Sequence, residues 1–323
     1  MRRLFGCFGL LVILALIGGG VWVVRDWGAA GPAEQNVTVV VPNGASLSTA
    51  AGQLEEAGAI RNARWFVILS RIFGGDAHIK AGEYRFPAHL SQSDILKTMQ
   101  GGDTLQRFVT IPEGMPSVLV HEALMKAPYL TGEIDIPVEG TILPDSYAYT
   151  RGDTRQSVVD RMQKAMAEYL AAAWERRKPG IAVDTPRDAL IVASIVEKET
   201  SKPEERRTVA AVYSNRLKRG MMLQADPTII YPITKGKPLG RRILRSELEA
   251  KNDYNTYTMT GLPAGPIANP GRESIDAVLD PADSNALYFV ADGTGGHVFS
   301  ETLEQHNANV QKWYAIRRSR GEM

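Results

Sequence analysis

Residues 187–200 read RDALIVASIVEKET, and Thr185-Pro186 stands just before them. Proline is pre-set for the first helical position, so a helix starts there. Between Ala189 and Val196 every residue except Ser194 is apolar. A helix apolar all round is covered on every side, so this one is expected in the middle of a domain. It ends in two carboxylates, Glu197 and Glu199, with Lys198 between them. A Glu-Lys-Glu helix end is ordinarily a solvated surface. Two features set Glu199 apart. It follows Val196, Ile195 and Val192 by three, four and seven residues, so it continues an apolar stripe. It also stands at a helix C-terminus, where the backbone dipole opposes negative charge. Desolvation acts in the same direction and raises a carboxyl pKa. The product is a carboxylic acid able to give up a proton near neutral pH, which protonation of a glycosidic oxygen requires. Residues two apart on a helix diverge by about 200°. Glu197 and Glu199 therefore cannot face each other across one bond, as the carboxylates of ordinary glycosidases do. Either a second acid comes from elsewhere, with Asp226 and Glu301 as candidates, or one carboxylate performs both proton transfers.

Around this helix the pattern predicts a mainly helical region. Thr154 caps a long helix with Val158, Met162, Met166, Tyr169 and Leu170 on one stripe. Ser201 and Pro203 open another, with Glu204 and Glu205 suited to its first turn and Gly220 near its end. Residues 221–272 read as loops rich in Pro, Gly and Asn. Leu287–Ala291 and His297–Ser300 read as a hairpin around Asp292-Gly293-Thr294-Gly295-Gly296.

The N-terminal third has a different character. Val37–Val41 is a β-branched run, hence a strand. Ser48 is expected to cap a helix to about Ala57, and Asn62 a second one that Gly74-Gly75 stops. Ile79–Phe86 reads as a strand, Ser91 or Ser93 as the start of a third helix, and Leu105–Ile111 as another strand. This β-α-α-β-α-β order predicts a small α+β module. The fold class of the whole chain is α+β.

Ahead of the module, Leu4–Val24 carries no charge and reaches the length that spans a bilayer core, about 20 residues. Arg2, Arg3 and the amine precede it, and Trp22 and Trp27 suit the interface. The positive end stays in the cytoplasm, so the remainder is expected outside the cytoplasmic (inner) membrane, held by one span. Gly28 and Ala30 offer an alternative as a signal-peptide cleavage site. Residues 25–36 read as a tether reaching roughly 40 Å if fully extended. Cys7, the one cysteine, precedes most of the apolar run and reads as a lipid-facing small residue.

The 323 residues carry a net charge of +1 and no long basic run, so nucleic acid is not expected as a partner. His297 and His306 lack metal-ligand spacing, and no metal or soluble cofactor is expected. The glycines of 293–296 have no Lys-Ser/Thr after them and read as a turn. Ser194 lacks the surroundings of a nucleophile elbow.

IVEKET (195–200), LQADPTIIY (223–231), YNTYTMTGLPAGPIANPG (254–271) and LYFVADGTGGHVFSETLEQHN (287–307) occur in the order and approximate spacing of the YceG-like family, the endolytic murein transglycosylases. VTIPEG (109–114) and VEGTILPDSYAY (138–149) also resemble family segments. The resemblance implies a lyase that cuts peptidoglycan glycan strands between N-acetylmuramic acid and N-acetylglucosamine without water. The muramic C6 hydroxyl attacks its own C1 and leaves a 1,6-anhydro end. It also implies that one glutamate acts as acid and then as base. Such glutamates precede Ser or Thr at a helix end, which carries the catalytic role to Glu199 before Thr200, with Glu197 supporting the site through an ion pair. Gln224, Asp226, Thr228, Asn255 and Tyr257 fall in segments expected to line the glycan cleft.

The resemblance divides the chain into a cytoplasmic N-terminus (1–3), a transmembrane helix (4–24), a tether (25–36), a LysM-like glycan-binding module (37–107) and a lytic-transglycosylase-like catalytic domain (108–323). Membrane-bound peptidoglycan synthases are the partners this anchoring suggests, with action on nascent strands. A glycan hydrolase and a non-catalytic wall-binding scaffold are the alternatives. Two departures stand out. VEGTILPDSY replaces a typical LEGYLFPDTY, which puts a stacking contact at 141–143 in doubt. Gln305-His306-Asn307 replaces EHN, which puts an acid at 305 in doubt.

Overall fold

A computed structural model describes residues 2–75 and 78–321, with side chains from Leu10 onward; Met1 and the side chain of Cys7 lie outside the described part. The protein is a helix-rich α+β chain that divides into two compact units, Met1–Arg107 with Tyr149–Gly152, and Phe108–Ala148 with Asp153–Met323.

The first unit begins with α1 (Arg2–Gly28), whose Leu10–Gly28 stretch is long and apolar enough to cross a membrane. Then come β1 (Val37–Val41), α2 (Leu47–Glu56), α3 (Ala63–Phe73), β2 (Gly82–Phe86) and α4 (Gln92–Gly101). Ser46, not Ser48, caps α2, because the Ser46 hydroxyl accepts the Thr49 N–H at 3.1 Å. Asn62 caps α3 and Ser91 caps α4. β1 and β2 pair antiparallel with Val37 opposite Phe86 and Val41 opposite Gly82. Val39 and Val41 point into a core with Leu54, Phe66, Tyr84, Phe86 and Ile95.

Residues 25–36 are not a free tether. The helix continues through Arg25 to Gly28, and Asp26 accepts the Trp65 indole N–H at 2.9 Å. Trp27 packs on Phe66 and Phe73. Gly31 donates to the His89 carbonyl at 3.1 Å, and His89 donates to that of Ala33 at 2.8 Å. Composition suggested a linker, but paired backbone groups and the packing of the half-buried Trp27 ring pin the segment to the module. The last strand also differs. β3 (Arg107–Thr110) pairs with β4 (Ser146–Tyr149) and not with β1 or β2, so the module is β-α-α-β-α.

The second unit continues with α5 (Ser117–Lys126), which precedes β4, and then α6 (Arg155–Glu175), α7 (Pro186–Glu199), α8 (Pro203–Lys218), α9 (Asp226–Thr234), α10 (Arg245–Leu248), α11 (Arg272–Leu279), β5 (Tyr288–Ala291), β6 (His297–Ser300) and α12 (Leu303–Ser319). Thr185 caps α7 with Pro186 in its first turn, and every residue from Ala189 to Val196 is buried. α6, α8, α9 and α11 pack around it. Residues 221–272 are not all loop. Asp226-Pro227 starts α9, with a proline and an acid in its first turn as in α7 and α8. β5 and β6 form the expected hairpin, with the Asp292 carboxylate accepting the N–H groups of Thr294 and Gly296.

Candidate active site

The exit of α7 is fixed by Thr200. Its N–H donates to the Val196 carbonyl, its hydroxyl donates to Glu205 at 3.2 Å and accepts the Lys202 N–H at 3.1 Å. Glu205 in turn accepts the backbone N–H of His297 at 2.9 Å, with its other oxygen 2.7 Å from His297 Nδ1. Partial burial pushes the Glu205 carboxyl up, but the bonds from His297 outweigh it and hold the group below its usual range. Helix end, following helix and hairpin are thereby tied together behind Glu199, which is how a residue at a helix terminus acquires a fixed position.

Glu199 borders two adjoining clefts. One, of about 290 Å³, is lined by Glu199, Tyr213, Arg216, Leu223, Gln224, Asp226, Tyr257, Phe289 and His306. The other, of about 440 Å³, lies between the end of α7, the Gly293–Gly296 turn, Trp313 and Arg320. Though part of its surface meets the cleft, Glu199 is enclosed by protein. Desolvation pushes its carboxyl up to about 7; the Tyr213 hydroxyl, donating at 2.9 Å, opposes this, Asp226 adds to it, and Arg216 opposes it.

Asp226 and Gln224 both line the same cleft as Glu199. Asp226 accepts the Tyr257 hydroxyl at 2.6 Å, which brings Tyr257 into the cleft as well. Gln224 has φ +48°, a left-handed conformation costly for a residue with a Cβ and common at functional sites. Thr228 and Asn255 do not join them, because both are 0% exposed. The Thr228 hydroxyl donates to Ala225 and meets Thr256 at 2.9 Å. The Asn255 amide donates to the carbonyls of Glu247, Leu248 and Ala250. Their polarity serves the loop and leaves nothing for a ligand. Glu301 lies outside the clefts, in the turn before α12.

Glu197 points to a different neighbourhood, as the helical angle requires. It accepts the Gly271 N–H at 3.0 Å and lies 4.0 Å from Arg206, which also pairs with Glu113 and Glu273. Burial, then repulsion from Glu197, raises the Glu113 carboxyl, which Arg206 partly offsets. The turn at Gly114, with φ +71°, presses against Glu197, and its carbonyl accepts Lys198 Nζ at 3.4 Å. Glu197 and Lys198 thus brace the end of α7 from behind. At the two departures, Ile142 and Leu143 are core residues, and Gln305 forms the capping box of α12 with Thr302. Neither position reaches the clefts.

Tyr213, Arg216 and Phe289 are cleft residues that the sequence did not single out, and His306, weighed there only as a metal ligand, joins them. One of the three was within reach of the sequence pattern. Val209, Tyr213 and Arg216 stand at i, i+4 and i+7 on α8, so Arg216 continues a buried stripe just as Glu199 does. Arg216 is held by the carbonyls of Leu287 and Leu223, both at 2.7 Å. His306 stacks on Tyr288, and its Nδ1 is buried without a partner. Desolvation, with help from Arg216, lowers its pKa, so the imidazole in the cleft is neutral at pH 7.

The YceG-like family model matches residues 39–312. An endolytic murein transglycosylase of Bacillus subtilis (strain 168) is 28% identical over 87% of this chain and 85% of its own length. One of Streptococcus pneumoniae serotype 2 is 29% identical over 93% of this chain, which spans 63% of that protein. The crystal structure of a putative YceG-like protein from Listeria monocytogenes superposes with a TM-score of 0.52 at 30% identity, covering 85% of this chain and 99% of that one. With a match that runs from the first strand of the module to α12, the chain belongs to the YceG-like family.

Proposed function

We propose that this protein is a membrane-anchored endolytic murein transglycosylase with Glu199 as its acid and base. The observation that carries the reading is a carboxyl that lines both clefts and accepts the Tyr213 hydroxyl, placed where desolvation pushes it up to about 7. A glycan strand running through both would place its scissile bond at Glu199 with sugars on either side, as internal cleavage requires. The protonated acid gives its proton to the leaving glycosidic oxygen as the C1–O bond breaks. The resulting carboxylate takes the proton of the muramic C6 hydroxyl as that oxygen bonds to C1. Glu199 ends protonated again, and no water is consumed. Tyr213 steadies the carboxylate stage by its hydrogen bond. Gln224, Asp226 and Tyr257 supply polar and aromatic contacts for sugars.

Names of the relatives support the substrate class, and the pairing of Glu199 with Thr200 supports the choice of acid. The module at 37–107 fits a LysM-like role of holding glycan. α1 serves as a single span that keeps residues beyond it on the outer face of the cytoplasmic membrane, where nascent strands and their synthases are at hand. Hydrolysis is the second reading, favoured by Asp226 in the same cleft as a base for water. Mass spectrometry of products from isolated sacculi decides: anhydro ends, lighter by one water than hydrolytic ones, are expected. Reducing ends alone would transfer the reading to hydrolysis.

The pH dependence follows from which form must be present first. Free enzyme needs protonated Glu199, so kcat/KM is expected to fall as pH rises through about 7. Tyr213→Phe removes a donor that favours the carboxylate, so this alkaline limb should move to higher pH. Asp226→Asn removes a neighbouring negative charge and should move it to lower pH. Profiles that fail to shift in opposite directions would dissociate this limb from Glu199.

A further inference from the structure

The exposed side of α3 does not look like the outside of a soluble domain. Ile68 is 47% exposed and Ile72 62%, both on the helix face that also carries half-buried Trp65. These three stand at i, i+3 and i+7, one continuous stripe. Arg64 and Arg71, exposed and seven residues apart, run along one edge of it. An apolar stripe with a basic edge is the pattern of a helix that lies in a membrane interface.

What covers the stripe is indicated by α1. Trp65 meets Trp22 with ring centroids 6.2 Å apart, and its indole N–H is held by Asp26 at 2.9 Å. Phe73, at the far end of α3, stacks on Trp27 at 6.1 Å. Trp22 belongs to the last turn of the charge-free run, and Asp26 and Trp27 are one turn further on. The place where α1 leaves the hydrocarbon is therefore level with α3, because α3 touches residues on both sides of Arg25. Tryptophans concentrate at this depth, where an apolar ring and a polar N–H are both accommodated.

Resting on the reading of α1 as a membrane span, we infer that α3 is a second membrane contact, its Trp65–Ile68–Ile72 stripe lying in the headgroup region of a bilayer rich in anionic phospholipid, with Arg64 and Arg71 on the phosphates. The module would then not swing on a linker; it would be seated on the membrane, with its orientation set by a helix across the bilayer and a helix along it.

The test uses the full chain in nanodiscs of phosphatidylethanolamine and phosphatidylglycerol, with Cys7→Ser and one new cysteine carrying a fluorophore. Probes at Ile72→Cys and Leu14→Cys are expected to be quenched several-fold less by aqueous iodide than one at Thr38→Cys, which is exposed on β1 opposite the buried Val39 and Val41. Arg64→Gln with Arg71→Gln should return the Ile72 probe toward the Thr38 value. A shielded Leu14 probe beside an Ile72 probe as accessible as Thr38 overturns the inference and leaves the span intact. Accessible probes at both Leu14 and Ile72 overturn the span and the inference together. Shielding at Ile72 that is unchanged in the double arginine variant overturns the role of anionic lipid.

Discussion

Glu199→Gln is expected to reduce glycan cleavage by at least about 10²–10⁴-fold, the range for loss of one positioned acid or base, with the upper end favoured because the residue serves both proton transfers. Glutamine keeps the shape and accepts the Tyr213 hydroxyl, yet exchanges no proton. The same variant should be more stable than wild type above neutrality. The folded-state pKa of Glu199, about 7, is raised above the ordinary 4.5. The native state therefore binds more protons than the unfolded state between these values, and stability falls as pH rises through the window. The penalty is absent below about 4.5 and complete above about 7, where it amounts to about 3 kcal/mol at one pKa unit per about 1.4 kcal/mol. Urea melts at pH 4 and pH 8 should show the glutamine variant gaining on wild type only at the higher pH. Muropeptide analysis of digested sacculi measures the activity. A folded Glu199→Gln that still forms anhydro ends at near wild-type rate would sink the assignment, and Glu197 would be the next residue to replace.

That stability penalty is what made Glu199 visible in the sequence. An ionisable group on an apolar stripe contradicts its surroundings, and the contradiction persists at a site because the site needs it. Helix starts were legible for a related reason: Thr185-Pro186, Thr154, Asn62 and Ser91 carry their capping chemistry locally. What could not be read were facts set by distant parts of the chain. Trp27 and Gly31 look like linker until the partners that hold them, Phe66 and His89, are folded beside them. β3 has the composition of a strand, but its pairing with β4 depends on residues nearly forty positions away. In the cleft, the segments 223–231 and 254–271 were recognised as units, yet which side chains face inward is decided by hydrogen bonds that pattern alone does not display. Asp226 and Tyr257 bond each other across the cleft, while Asn255, two residues before Tyr257, turns its amide into the protein.

Asn255→Ala should therefore act on stability and not on glycan binding. The side chain is 0% exposed and all its capacity is engaged. Its amide donates to the carbonyls of Glu247 at 3.2 Å, Leu248 at 3.1 Å and Ala250 at 2.7 Å, closing the end of α10. Its oxygen accepts the Tyr257 N–H at 3.0 Å. Alanine removes these part-buried bonds, each worth about 0.5–1.5 kcal/mol net. Partial relaxation of a surface-proximal loop brings the expected loss to about 3 kcal/mol, or roughly 6–12 °C in melting temperature for a unit of this size. At a temperature where the variant is folded, KM should remain within a few-fold of wild type. Gln224→Ala gives the opposite signature, since that side chain lines the cleft: KM should rise while the melting temperature barely moves. Calorimetry together with a binding assay on isolated sacculi separates the two. An Asn255→Ala protein that melts like wild type but fails to hold glycan would mean that the amide turns to the substrate when a strand is bound, and that the buried geometry belongs to the empty cleft alone.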